Sequence, residues 1–158
     1  MKDVEDDFKG ALRYAFRLLG CRDRSRKELL DRMALKGFSK GVAEETAAYL
    51  EEKGFIDDRR LAEILKRDAV ERKHYGKRGL RSYLMKKGIG GEIIDLVSGD
   101  EDDYLDAARK LAEKKLKNMK DSSPEAVRKK LWGMLERHGF SCDNIRAVIQ
   151  SLNVKEEL

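Results

Sequence analysis

LKGFS at 35–39, KKGIG at 86–90 and RHGFS at 137–141 decide the fold. Each places a glycine (Gly37, Gly88, Gly139) directly before an apolar residue, Phe38, Ile89 or Phe140. The glycines lie 51 residues apart, twice. Working outward, the register holds: Leu29, Leu80 and Leu131 align, as do Met33, Leu84 and Leu135, and Thr46, Val97 and Val148. The stretches Lys27–Leu50, Arg78–Glu101 and Lys129–Leu152 are therefore three copies of one unit.

Each copy reads as helix, turn, helix. Ser25 and Glu28 have the S-x-x-E spacing of a capping box. Leu29, Leu30 and Met33 share a helical face, and Gly37 ends that helix where a positive φ is wanted. Ser39 can cap the next helix, which runs through Val42, Thr46 and Leu50. In the third copy, Ser122, Ser123, Pro124 and Glu125 give a cap followed by a proline near the first helical position. A further helix precedes each pair, through Phe8, Leu12, Ala15 and Leu19, through Leu61, Leu65 and Ala69, and through Leu105, Ala108 and Ala112. The acids of the joints GFIDD (54–58) and SGDEDD (98–103) can cap the helices that follow. The predicted architecture is all-α: three tandem three-helix modules near 8–54, 57–98 and 101–153. Modules this small bury little surface alone, so they are expected to stack into an elongated, curved array.

Composition agrees. Of 158 residues, 41% are apolar and 41% charged, enough apolar material for a core. One proline and 13 mostly isolated glycines argue against sandwiches and barrels. No apolar run approaches the ~20 residues of a membrane span. The opening MKDVEDDF lacks the apolar stretch of a secretory signal, and Cys21 and Cys142 stand far apart without metal-ligand spacing. A cytoplasmic monomer with two ordinary thiols and no membrane contact is expected.

Catalytic chemistry is not visible. His74 and His138 have no cysteine or carboxylate at ligand spacing and read as solvated or capping residues. Asp57 and Asp58 precede a helix and read as caps rather than metal ligands. No phosphate-binding glycine loop and no nucleophile elbow occurs. The expectation is no enzyme, no metal and no cofactor.

Charge is the one functional signal. Net charge is +5, with a pI of about 9.1. Residues 72–87, RKHYGKRGLRSYLMKK, hold seven Lys/Arg and no acid. With Leu80 and Leu84 against the core, Lys77, Arg78 and Arg81 fall within a sector of about 100°. Tyr75 and Tyr83 interleave, the composition of a surface facing phosphates or acidic protein. Two further clusters are Arg22, Arg24, Arg26 and Lys27, and Arg128, Lys129 and Lys130. The candidate partner-binding residues are thus Arg72, Lys73, Lys77, Arg78, Arg81, Lys86, Lys87, Arg24, Arg26, Lys27, Arg128, Lys129 and Lys130, expected to form one basic face. The cations of 109–120 interleave with Glu113 and read as a solvated helix.

RSRKELL (24–30) followed by KGF (36–38), GFIDDRRLA (54–62), and GKRGLR (76–81) followed by KKGI (86–89) resemble the RecX family, regulators of the bacterial recombinase RecA. The resemblance covers 11–98; beyond that it rests on the repeat. Leu61 stands where the family usually has Phe, and Phe55 where Leu is more usual, both apolar exchanges. The resemblance implies tandem three-helix modules and a place in DNA recombination, DNA repair and the SOS response. It implies binding in the groove of the RecA–single-stranded-DNA filament, with the RecA filament as partner and contact to single-stranded DNA. It implies inhibition of strand exchange, ATP hydrolysis and coprotease activity, without catalysis by the regulator. The residues alone also leave open a helix-turn-helix regulator that reads duplex DNA, and an RNA-binding or scaffolding helical repeat.

Overall fold

The computed structural model describes residues 4–152; residues 1–3 and position 153, the last of the predicted third module, lie outside that range. Nine α-helices are present among the described residues, with no strand: α1 Val4–Cys21, α2 Arg26–Lys36, α3 Lys40–Glu52, α4 Asp58–Glu71, α5 Lys77–Lys86, α6 Gly91–Ser98, α7 Leu105–Leu116, α8 Pro124–Arg137 and α9 Cys142–Ser151. A 3-10 turn at Glu101–Tyr104 leads into α7.

The start and stop signals act where the sequence places them. Ser39, Ser123 and Ser141 accept hydrogen bonds from the backbone N–H groups of Val42, Ala126 and Asn144, satisfying donors the first helical turn leaves orphaned. Pro124 takes the first position of α8, where no N–H is needed. Gly37, Gly88 and Gly139 all adopt left-handed backbone, with φ of 103°, 85° and 87°. One reading changes. Ser25 caps α2 through the Glu28 N–H, but the Glu28 side chain does not close the box. It is taken by Arg22 and Arg24.

The chain forms two compact units. The first comprises the described chain up to Ile64 together with Met85–Ile93; the second comprises Leu65–Leu84 and the described residues from Ile94 on. In the first, α1 packs on α2 and α3, and α2 on α3. Its core is Ala11, Ala15, Leu29, Met33, Val42, Ala43, Ala47, Leu50 and Ile56. In the second, α7 packs on α8 and α9, and α8 on α9. Leu80, Leu84, Ile94, Tyr104, Leu131, Leu135, Ile145 and Val148 are fully buried there. The first helix of each module buries alanine most deeply: Ala11 and Ala15, Ala62 and Ala69, Ala108 and Ala112 are all inaccessible. The predicted leucines of these helices (Leu12, Leu19, Leu61, Leu65, Leu105) flank that seam only partly buried. Small side chains let helices approach closely, and the larger neighbours close the edges.

Candidate partner-binding surface

Two basic hollows emerge, one in each unit. In the first unit, the opening turns of α2 and the turn after α5 enclose about 290 Å³ lined by Arg22, Lys27, Glu28, Asp31, Lys86, Lys87 and Gly88. Four cations meet two carboxylates here. Burial pushes the Glu28 carboxyl up, but the guanidinium groups of Arg22 and Arg24 outweigh it and hold it below the usual range. Glu28 is therefore ionised at neutral pH and offsets part of the local positive charge.

In the second unit, the end of α7, the segment after it and the face of α8 enclose about 340 Å³ lined by Lys115, Asn118, Met119, Lys129, Lys130, Gly133, Met134 and Arg137. Among the described residues, no carboxylate lines it. Met119 is buried, Met134 partly buried, and Lys115, Lys129, Lys130 and Arg137 are exposed.

The predicted basic residues have divided fates. Lys27, Lys86 and Lys87 are brought together in the first hollow, and Lys129 and Lys130 line the second. Arg24 is not a surface residue: it is 9% exposed, donates to the Leu18 carbonyl at 3.2 Å and pairs with Glu28 at 2.8 Å. Arg26 is held by Glu44 at 2.9 Å and Glu51 at 3.4 Å, and its backbone N–H bonds the Asp58 carboxylate at 2.9 Å. Arg78 stays exposed while donating to the Glu136 carbonyl at 2.9 Å at the end of α8. Arg72 pairs with Asp68, Arg81 with Asp95, and Lys73 stands over the Tyr83 ring at 5.4 Å. Exposed pairs of this kind are worth at most about 1 kcal/mol, so Arg72 and Arg81 stay exchangeable. Lys77 is partly buried at the start of α5, and Arg128 is partly buried on α8. Within 72–87, Arg78 bonds the end of α8, and Lys86 and Lys87 line a hollow.

The joint caps also divide. Asp57 accepts from the Arg60 N–H and caps α4, as expected. Asp58 instead caps α2 through Arg26; burial raises its pKa against that bond's stabilising effect. His138 is the C-cap of α8, as the capping reading has it; it bonds the His74 carbonyl through Nδ1 at 3.1 Å and lies tilted beside the Tyr75 ring. His74 has a φ of 54°, and its Nδ1 is buried without a hydrogen-bond partner among the described residues.

Lys115, Asn118 and Arg137 line the second hollow and are not among the candidates the sequence offers. Lys115 sits in the stretch read as solvated helix. Arg137 had a signal: it lies 51 residues after Lys86, in the same turn motif. Cys21 and Cys142 are exposed free thiols. Among the described residues, no group of three or more His, Cys, Asp or Glu could hold a metal ion, and no helix is long and apolar enough to cross a membrane.

The nine helices make an all-α protein of successive three-helix units. The family models for the first, second and third three-helix domains of RecX match residues 11–50, 57–97 and 101–149. The chain is 36% identical over 155 residues to the regulatory protein RecX of Chlorobium phaeobacteroides, covering 96% of this chain and 98% of that one. It is 33% identical to the regulatory protein RecX of Vibrio campbellii, covering 83% and 84%. The crystal structure of RecX from Lactobacillus salivarius superposes with a TM-score of 0.86 at 25% identity, covering 96% of this chain and 99% of that one. The chain belongs to the RecX family.

Proposed function

We propose that the chain is an inhibitor of RecA that seats itself in the groove of the RecA–single-stranded-DNA filament. The observation that carries this reading is the match to all three RecX domains, from residue 11 to 149. The hollows support it. Lys27, Lys86, Lys129, Lys130, Lys115 and Arg137 have no ion-pair partner among the described residues, and unpaired cations suit a polyanionic target. A filament repeats its surface along a groove, so weak contacts from successive modules add through effective concentration. A bridge between successive subunits hinders the movements that ATP hydrolysis and strand exchange require. The regulator acts by occupancy, as a cytoplasmic monomer without catalysis of its own.

The test is the single-stranded-DNA-dependent ATPase of RecA, titrated with the chain. Hydrolysis is expected to fall with increasing chain, while the chain alone hydrolyses nothing. Unchanged hydrolysis at saturating chain overturns the proposal.

A further inference from the structure

We infer that the acid-free hollow between the end of α7 and α8 is a binding site for the phosphate backbone of single-stranded nucleic acid. Four cations reach it from separate points of the fold: Lys115 from the last turn of α7, Lys129 and Lys130 from the second turn of α8, and Arg137 from its end. None has an acidic partner among the described residues, whereas Lys110, one turn before Lys114 on the same helix, is paired with Asp106 at 3.0 Å. Holding four like charges around one hollow costs free energy by mutual repulsion, and an anion entering it removes that cost. Lysine serves as a point charge for phosphate, and arginine adds a fork that can hold two phosphate oxygens.

The floor narrows the choice of anion. Met119 and Met134 present thioethers and methylenes below the charged rim. Methionine packs adaptably against flat or irregular apolar groups, including aromatic rings. A ligand with charge on one side and a sugar or base on the other suits this combination better than a bare anion. Asn118 adds a donor and acceptor at the rim. The volume of about 340 Å³ suits a ligand fragment rather than a helix or a duplex. Because Gly133 leaves the face of α8 open and a Cβ there would meet the Arg137 guanidinium at 3.2 Å, the glycine also keeps Arg137 over the hollow.

This deepens the RecA reading by giving the DNA contact a place, and rests on that reading only in its choice of probe. The experiment therefore uses no RecA: fluorescently labelled oligothymidylate is titrated with the full chain over a series of salt concentrations. Each phosphate contact contributes about −0.7 to the slope of log affinity against log salt for a single strand. The triple variant Lys115→Gln, Lys130→Gln, Arg137→Gln is expected to lower affinity at least about tenfold and to flatten the slope by about 2. The counterpart variant Lys27→Gln, Lys86→Gln, Lys87→Gln in the acid-lined hollow is expected to lose less. The single variant Lys115→Gln, checked by circular dichroism, is expected to flatten the slope by about 0.7, and it decides the matter if the triple variant fails to fold. Unchanged affinity and slope overturn the inference. So does displacement of the oligonucleotide by polyglutamate at equal charge concentration, which makes the hollow a general anion patch. An ATPase failure with these results intact sinks the RecA reading and leaves the nucleic-acid site standing.

Discussion

The turns at Gly88 and Gly139 have the same sequence signal and dock on equivalent places, yet they are held by different chemistry. Gly88 lies against Ser25, and Gly139 against Gly76 and Gly79, so each turn meets the start of a helix from the preceding module. Ser25 and Gly76 are 51 residues apart, as are Glu28 and Gly79. In the first joint, side chains satisfy the orphan donors of α2: Ser25 takes the Glu28 N–H and Asp58 takes the Arg26 N–H. In the second, backbone does it. The Gly76 and Arg78 N–H groups bond the carbonyls of His138 and Gly139, at 2.8 and 3.2 Å. The negative end of α8 thus meets the positive end of α5, each satisfying what the other leaves open. Backbone can come that close only if no Cβ intervenes, so S-x-x-E becomes G-x-x-G. Gly37, the third member of the set, has no such docking partner among the described residues: a Cβ there meets none of them within 4 Å.

The sharpest way to break this comparison is at the backbone joint. A methyl group at Gly79 would run into the His138 carbonyl, and one at Gly139 into the backbone of Gly79 and Arg78. Backbone cannot yield as a side chain can, and Gly139 adds the strain of a positive φ. Gly79→Ala and Gly139→Ala are each expected to cost about 3 kcal/mol or more in urea unfolding. A loss under about 1 kcal/mol for both would mean that the joint is not held as described.

The same substitution at the other two turns grades the effect. At Gly88, with φ of 85°, a methyl meets the Ser25 hydroxyl at 2.5 Å, a small side chain that can rotate at the cost of its cap. Gly88→Ala is expected to cost about 2 kcal/mol, the strain of left-handed backbone plus part of a lost cap. Gly37→Ala has the strain without the contact and is expected to cost about 1 kcal/mol. Equal losses at all three turns would remove docking from the explanation and leave backbone strain alone.

These differences mark what the sequence could carry. The 51-residue register was enough to place three turns, their left-handed glycines and the serine caps, because those are local demands of helix ends. Docking is not local. Gly37, Gly88 and Gly139 look alike in sequence, and only the neighbour supplied by another module separates them. The basic strip depends on neighbours for the same reason. Lys27, Arg78 and Lys129 share one register, but Arg78 is spent on the Glu136 carbonyl while the two lysines line hollows. Lys115 was hidden in a helix whose alternating charges looked solvated, since which face meets α8 is decided by tertiary packing. Arg24 reads as surface charge until Leu18 and Glu28 are seen to hold it.

The smallest expected effect sharpens the comparison through pH. Only the backbone joint contains histidine. Burial lowers the pKa of His74, and the nearby positive charges of Lys114, His138 and Lys110 lower it further. In the unfolded chain the ring takes up a proton near the ordinary value of about 6.5. The folded state resists that proton, so the unfolded state binds more protons as pH falls through this range. The contribution of His74 to stability is therefore present above about pH 6.5 and is lost below it. Asparagine tolerates the left-handed backbone of this position and cannot titrate. The stability difference between the parent and His74→Asn should accordingly shift against the parent between pH 7 and 5. The shift should be small, because the ring is only partly buried and solvent screens it. Gly88→Ala, placed in the joint without histidine, should show no change in this window relative to the parent. Unfolding curves measured at both pH values for all three proteins decide it: parallel pH profiles for the parent and His74→Asn would remove His74 from the acid response of the joint.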